Sequence, residues 1–190
     1  MSRARNVASL LTSADNINAS YIDSSSLPSG SVLQIKHTQF TSQNTVSFTA
    51  NTDATLTDLT VNITPISTSS IIKVEAFVQG EWDHVDASTD SCWFFLRDST
   101  KLGSATSGNR NVGIHMGTSI TYYSSNASTT PEGVKYVYFD SPSTTSQITY
   151  KVAARAINSI NFYLNRTVSD TDHNYVERGI SSITVTEIAG

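Results

Sequence analysis

The stretch Leu56–Val78, LTDLTVNITPISTSSIIKVEAFV, constrains the fold more than any other part of the chain. In its second half Ile72, Val74, Ala76 and Val78 point one way, while Lys73, Glu75, Phe77 and Gln79 point the other. That period of two is the pattern of a strand with one face buried and the other mostly wet. Leu59, Val61 and Ile63 keep the same rhythm in the first half, with threonine and asparagine between them. Pro65 has no N–H to give to a ladder, so it ends the first strand or lies at an edge. The run Ser67-Thr68-Ser69-Ser70 then turns the chain. The expectation is a hairpin-like pair at the centre of a β-sandwich.

The rest of the chain agrees with that class. Its 190 residues suit one domain, or one domain plus an arm. Only 15% of them are charged, and serine and threonine, which tolerate strands and bond locally to backbone, are abundant. With a net charge of −4 and no basic cluster, the chain is not built to neutralise phosphates, so no nucleic-acid partner is expected. The single cysteine, Cys92, permits no intrachain disulfide and reads as a small core hydrophobe. Folding then does not depend on oxidation, and assembly in a reducing cytoplasm is allowed. No apolar run approaches the roughly 20 residues of a membrane span, and MSRARNVASLL lacks the apolar core of a secretory signal.

Residues 1–30 stand apart and are expected to form an extended N-terminal docking arm; the alternatives are a disordered segment and a clasp folded back over the sandwich of the same oligomer. Arg3 and Arg5 precede Val7, Leu10 and Leu11 at helical spacing, and Ile17, Tyr21, Ile22 and Leu27 follow, isolated in polar sequence. Such side chains are too apolar for a solvated tail and too scattered to make a core. Burying each on a partner is worth roughly 1.5–3 kcal/mol. Ordering the backbone costs about 1–2 kcal/mol per residue. Main-chain hydrogen bonds, as in strand addition to a partner's sheet, would therefore have to contribute. The two arginines would add charge-assisted bonds to acidic groups there.

Residues 31–190 carry short strands about ten residues apart with turn signals between them: an antiparallel β-sandwich, jelly-roll-like. VLQIKHTQF places Leu33, Ile35 and His37 on one face, and TVSFTA offers Val46 and Phe48. Cys92–Arg97 and Val134–Asp140 are aromatic-rich strands, Gln147–Asn158 alternates again, and Ile160, Phe162 and Leu164 define the next strand. SSITVTEI closes the chain with Ile183 and Val185. Loops are expected at Gly80–Asp90, Leu102–Arg110 and Ser124–Gly133.

Five blocks carry a family resemblance: MSRARNVASLL, ITPISTSSIIKVEAFVQG, FFLRDSTKLGSA, YFDSPSTTSQITYKVAARA and NFYLNRTVSDTDHNYVERGISSITVTEIAG. Together they resemble small structural proteins of tailed phages, of the kind found in marine phages and cyanophages. The resemblance implies a non-enzymatic virion structural protein: a short tail fibre or head fibre, a knob, or a capsid decoration protein. It implies host attachment as a role, a homotrimer, other virion proteins as partners through the arm, and a place in the virion after assembly in the host cytoplasm. The opening SRAR and short apolar turn are similar to fibre N-termini that dock on the particle. The chain carries no shaft, collagen-like repeat or lytic domain of a long tail fibre.

The residues themselves offer little chemistry. His37, His84, His115 and His173 lack the paired spacing of zinc ligands, and Asp170-Thr171-Asp172 lacks the glycine and distal glutamate of a calcium loop, so no metal or cofactor is expected. No nucleophile elbow appears, and no carboxylate pair of a depolymerase can be located. Surface-binding candidates are Trp82 with Asp83 and His84, Arg110, and the adjacent Tyr122 and Tyr123, since exposed rings beside polar groups stack on sugars or proteins. Against that stands the reading that these rings pack the sandwich end. Phe77, Trp93, Phe95, Val137 and Phe139 give several strands a second apolar face, which points to a homo-oligomer. The alternative function is a carbohydrate-binding module of a larger glycan-active system.

Overall fold

The computed structural model describes residues 27–83, 90–103, 108–118 and 129–190. Every arm residue named above from Arg3 to Ile22 lies outside them, as do His84, Tyr122 and Tyr123. The described residues form two antiparallel sheets packed face to face, with no helix among them. In chain order the strands are β1 (Val32–Phe40), β2 (Asn44–Phe48), β3 (Asp53–Ile63), β4 (Ile71–Trp82), β5 (Ser91–Arg97), β6 (Thr100–Lys101), β7 (His115–Met116), β8 (Glu132–Asp140), β9 (Ile148–Ala156), β10 (Ile160–Leu164) and β11 (Ser181–Ile188).

β4 is the spine of the larger sheet. One edge pairs with β8 over Ile72–Gly80. The other pairs with β11 over Ile71–Phe77 and, further on, with β10 over Gly80–Trp82. β1 adds outside β11, and β2 outside β10. The second sheet runs β3-β9-β5, with β6 and β7 pairing opposite ends of β5. The two halves of the Leu56–Val78 stretch therefore do not make a hairpin. β3 pairs with β9 and β4 with β8, β10 and β11, so the Ser67–Ser70 turn carries the chain from one sheet to the other. Both strands bury an alternating face, which is all that periodicity reports; it is silent about the partner.

Alternation fixes the core. Ile72, Val74, Ala76 and Val78 face inward from β4, meeting Tyr150, Val152, Ala154 and Ala156 from β9 and Ile183 and Val185 from β11. β3 breaks phase once: its register against β9 shifts between Leu56 and Thr60, so that Leu56 and Leu59 are both fully buried despite their odd spacing. β1 also departs from expectation. An irregularity between Val32 and Gln34 leaves Ile35 and His37 on the exposed outer face, while Phe40 packs against the core. Trp93 and Phe95 belong to the core itself, and the ring on the other face of β5 is Phe94, buried beneath the Lys101 ammonium at 3.7 Å from its centroid. The second apolar face inferred for this strand is thus closed within the chain. β4 continues through Trp82, where a loop from Gly80 was expected, because Gly80, Glu81 and Trp82 pair with β10.

Candidate functional site

Two features lie at the end of the sandwich where β4 finishes. One is internal. Trp82 and Trp93, the chain's two tryptophans, are both fully buried. They pack with Phe48 and Phe162 at centroid separations of 4.8 Å (Phe48–Trp82), 5.0 Å (Trp82–Phe162), 5.3 Å (Trp93–Phe162) and 5.8 Å (Trp82–Trp93). Edge and tilted geometries at these distances are the favourable ones for aromatic pairs.

Beside this apolar wall sit buried polar atoms without hydrogen-bond partners: Trp82 Nε1, Trp93 Nε1, Ser91 Oγ, His115 Nδ1 and Glu132 Oε1. They come from four strands but from one end, since His115 pairs with Trp93 and Glu132 with Gly80, two residues before Trp82. Thr118 Oγ1 donates to the other Glu132 oxygen at 2.8 Å. Burial pushes the Glu132 carboxyl up to about 8; the nearby Glu81 charge pushes the same way, against the Thr118 bond. Ser91, His115 and Glu132 are residue types of a nucleophile, base and acid. The geometry does not join them: Ser91 Oγ and His115 Nδ1 have no hydrogen-bond partner among the described residues, and Ser91 is 1% exposed. What these groups suit is ordered water, which settles where several buried polar atoms lack partners.

Glu81, also buried, faces away from that interior. Its Oε1 accepts from Thr130 N at 3.1 Å and Thr130 Oγ1 at 2.7 Å, and its Oε2 from Val168 N at 2.6 Å. It thereby ties the segment before β8 and the β10–β11 connection to the sheet.

Between those two segments runs the second feature, a groove of about 430 Å³ on the outer side of the larger sheet. It is lined by Gln79 and Gly80 of β4, by Pro131, Glu132 and Gly133, and by Asn165, Arg166 and Glu177–Gly179. Its frame is rigid. Asn165, fully buried with φ 61°, donates to the carbonyls of Phe40 and Ser42 at 2.7 and 2.8 Å and accepts from Ser181 Oγ at 2.6 Å. Asparagine is among the side chains that tolerate that left-handed backbone. A methyl group on Gly80 would run into the Tyr163 carbonyl and the Phe162 ring, so that glycine is required by close approach; one on Gly179 would meet the flexible end of the Gln79 side chain.

The sequence candidates fare unevenly. Trp82 is no surface ring; it lies in the core, which corrects its reading as an exposed loop aromatic. Asp83 accepts from Asn161 N and Nδ2, both at 3.0 Å, and so fastens β10 to the end of β4. Arg110 is exposed on a separate segment. Of the expected loops, Gly80–Trp82 is strand and Leu102 is buried. Among the described residues no group of three or more His, Cys, Asp or Glu is placed to hold a metal ion. No helix among them is long and apolar enough to cross a membrane. The groove residues Gln79, Asn165, Glu177 and Arg178 were not singled out by sequence reasoning. A signal was there: the interval between Leu164 and Ser181 is too long for a simple turn and carries a cluster of charges.

No family model matches the chain, and a search of curated proteins finds no match either.

Proposed function

We propose that the chain is a non-enzymatic structural protein of a tailed-phage virion, a short fibre, knob or decoration protein. It docks by residues 1–30 and displays its sandwich, as a homotrimer, where loops can meet the host surface. The observation that carries this reading is the outer face of the larger sheet. Phe139, Val137 and Phe77 stand there beside Lys73, Glu75 and Lys135, with Ile35 and Val32 across β11. Phe139 is 59% exposed and Phe77 40%. Aromatic side chains left bare on a flat sheet face favour a neighbouring subunit. The trimer and the virion come from the resemblance of the sequence blocks to phage appendage proteins. The strand order β8-β4-β11-β1 over β3-β9-β5 supports a jelly roll as the finer description of the sandwich. The second reading, a carbohydrate-binding module, is favoured by the outer groove.

Light scattering of the purified chain, with antibody labelling of phage particles, tests the proposal. A mass of three chains that falls to one in Phe77→Ser/Phe139→Ser, with labelled particles, is expected. A monomer at micromolar concentration, or particles without label, defeats it.

A further inference from the structure

We infer that the groove between β4, β8 and the β10–β11 connection is a binding subsite for a neutral saccharide, one to two rings in size. This deepens the host-contact part of the proposed function and rests on it. The volume, about 430 Å³, falls within the roughly 300–1,000 Å³ of small-ligand sites.

The walls decide the ligand class. Arg166 is already engaged: its Nη1 donates to the Thr167 and Val168 carbonyls at 3.1 and 3.2 Å, its Nη2 to Thr45 Oγ1 at 3.2 Å, and its guanidinium lies 4.2 Å over Tyr163. Arg178 is paired with Asp170, and Glu177 stands next to it. Glu132 also lines the groove, but burial keeps its carboxyl protonated at neutral pH, so Arg166 and Arg178 stand against Asp170 and Glu177, and the groove selects neither a phosphate-like anion nor a cation.

What remains open is hydrogen-bonding capacity. The side chains of Gln79 and Glu177 have no hydrogen-bond partner among the described residues, and Arg178 keeps guanidinium donors beyond the one given to Asp170. A planar amide, carboxylate and guanidinium supply donors and acceptors in fixed planes, which suits adjacent hydroxyl groups that both give and accept. Pro131 and the Gly133 backbone offer the C–H face of a pyranose ring an apolar surface. The frame is set before any ligand arrives, by Asn165 and by the close packing of Gly80 against Phe162 and the Tyr163 carbonyl. Little ordering cost is then left to offset binding.

The test titrates the full chain with neutral trisaccharides of glucose, mannose and N-acetylglucosamine, alongside sialylated and sulfated counterparts, using saturation-transfer NMR and calorimetry. The expected result is binding of a neutral sugar that weakens about tenfold in Gln79→Ala and again in Glu177→Ala. Neither side chain has a hydrogen-bond partner among the described residues; Glu177 is exposed, so Glu177→Ala should melt like the parent, and Gln79→Ala, which loses only its packing on Gly179, nearly so. Phe77→Ser serves as a control on the same sheet face and should bind as the parent does. Binding that ignores both groove variants, a preference for the charged sugars, or no binding to any of the panel overturns the inference. Cell adhesion by the labelled protein, measured in parallel, separates the two levels. If adhesion persists while no sugar binds, the groove assignment falls and the host-contact reading stands.

Discussion

Both ends of the sandwich bury glutamates, and Glu187 at one end is treated differently from Glu132 at the other. At the end where β11 finishes, Glu187 is fully buried and fully served. Gln34 Nε2 donates to Oε2 at 2.5 Å, and Ile66 N and Ser70 Oγ donate to Oε1 at 2.7 and 2.6 Å. Those donors come from β1 and from the β3–β4 crossover, so one carboxylate clasps three pieces of chain. Nearby, Gly30 N bonds Ala189 O and Ala189 N bonds Ser31 O, each at 2.8 Å, closing that end with backbone. At the opposite end Glu132 receives one side-chain hydrogen bond, from Thr118, and its other oxygen is unmet. A buried charge is tolerated only in proportion to the donors around it. The first end is therefore a structural clasp, and the second, clasped by Glu81, also carries spare polar capacity at Glu132 beside the groove.

The largest expected effect strikes the apolar wall of the second end. Trp82→Ala should cost about 3–5 kcal/mol, the usual range for deleting a buried indole. The reason is specific: the fully buried ring packs against Phe48, Trp93 and Phe162, and its removal leaves a cavity among them. Denaturant unfolding of the purified variant measures it. A loss below about 1 kcal/mol would return Trp82 to the surface and erase the contrast between wall and groove.

The two glutamates come next. Glu187→Ala leaves three donors without an acceptor and should cost about 2–4 kcal/mol at neutral pH. Glu132→Gln should do the reverse, increasingly as pH rises from about 4.5 to about 8. Below the ordinary carboxylate value of 4.5 the folded and unfolded chains both hold the proton, so the residue contributes nothing to the pH dependence. As pH rises toward about 8 the unfolded chain releases a proton that the fold keeps, and stability drains away until the folded carboxyl ionises. The parent should thus be less stable at pH 9 than at pH 5 by an amount on the order of a few kcal/mol. The glutamine variant should lose most of that slope. Unfolding curves at pH 5, 7 and 9 decide it, and an unchanged slope in Glu132→Gln would place the titration elsewhere.

Much of this architecture was readable beforehand. The inward sets of β4, β9 and β11 follow from alternation, because burial on one face writes itself into the sequence at a period of two. Pairing does not. Whether Ile63 and Ile72 share a sheet depends on where the Ser67–Ser70 turn sends the chain, and an all-polar turn serves either route. Trp82 misled for a related reason. It follows Gly80 and precedes a polar run, which looks like a loop tip; the glycine is there because Phe162 and the Tyr163 carbonyl press on the strand, not because the strand ends. Glu81, Glu132 and Glu187 were passed over, since a lone glutamate in a strand reads as solvent-facing until its donors are seen. The groove depends on Gln79, Asn165 and Glu177, which are far apart in sequence and carry no shared motif.

The smallest effect completes the comparison by reversing its sign. Glu75 lies on the outer face, where Lys73 Nζ contacts Oε2 at 2.9 Å and Lys135 Nζ approaches Oε1 at 3.5 Å. The Lys73 hydrogen bond, with help from both ammonium charges, holds its carboxyl below the ordinary value despite some desolvation. A lowered value in the fold means stability that is present above pH 4.5 and lost as pH falls through the folded value. Glu75→Gln should therefore flatten a shallow loss toward acid, where Glu132→Gln flattens a steeper loss as pH rises from about 4.5 to about 8. All three side chains are wet, Lys135 being 67% exposed, so screening keeps the contribution below about 1 kcal/mol. Molar salt should remove most of it while leaving the Glu132 slope in place, because mobile ions reach the sheet face and not the buried end. Unfolding curves between pH 3 and 5, at low and high salt, measure both statements together. A salt-resistant loss at Glu75 would mean that the outer face is covered, as a subunit contact across Phe77 and Phe139 would make it.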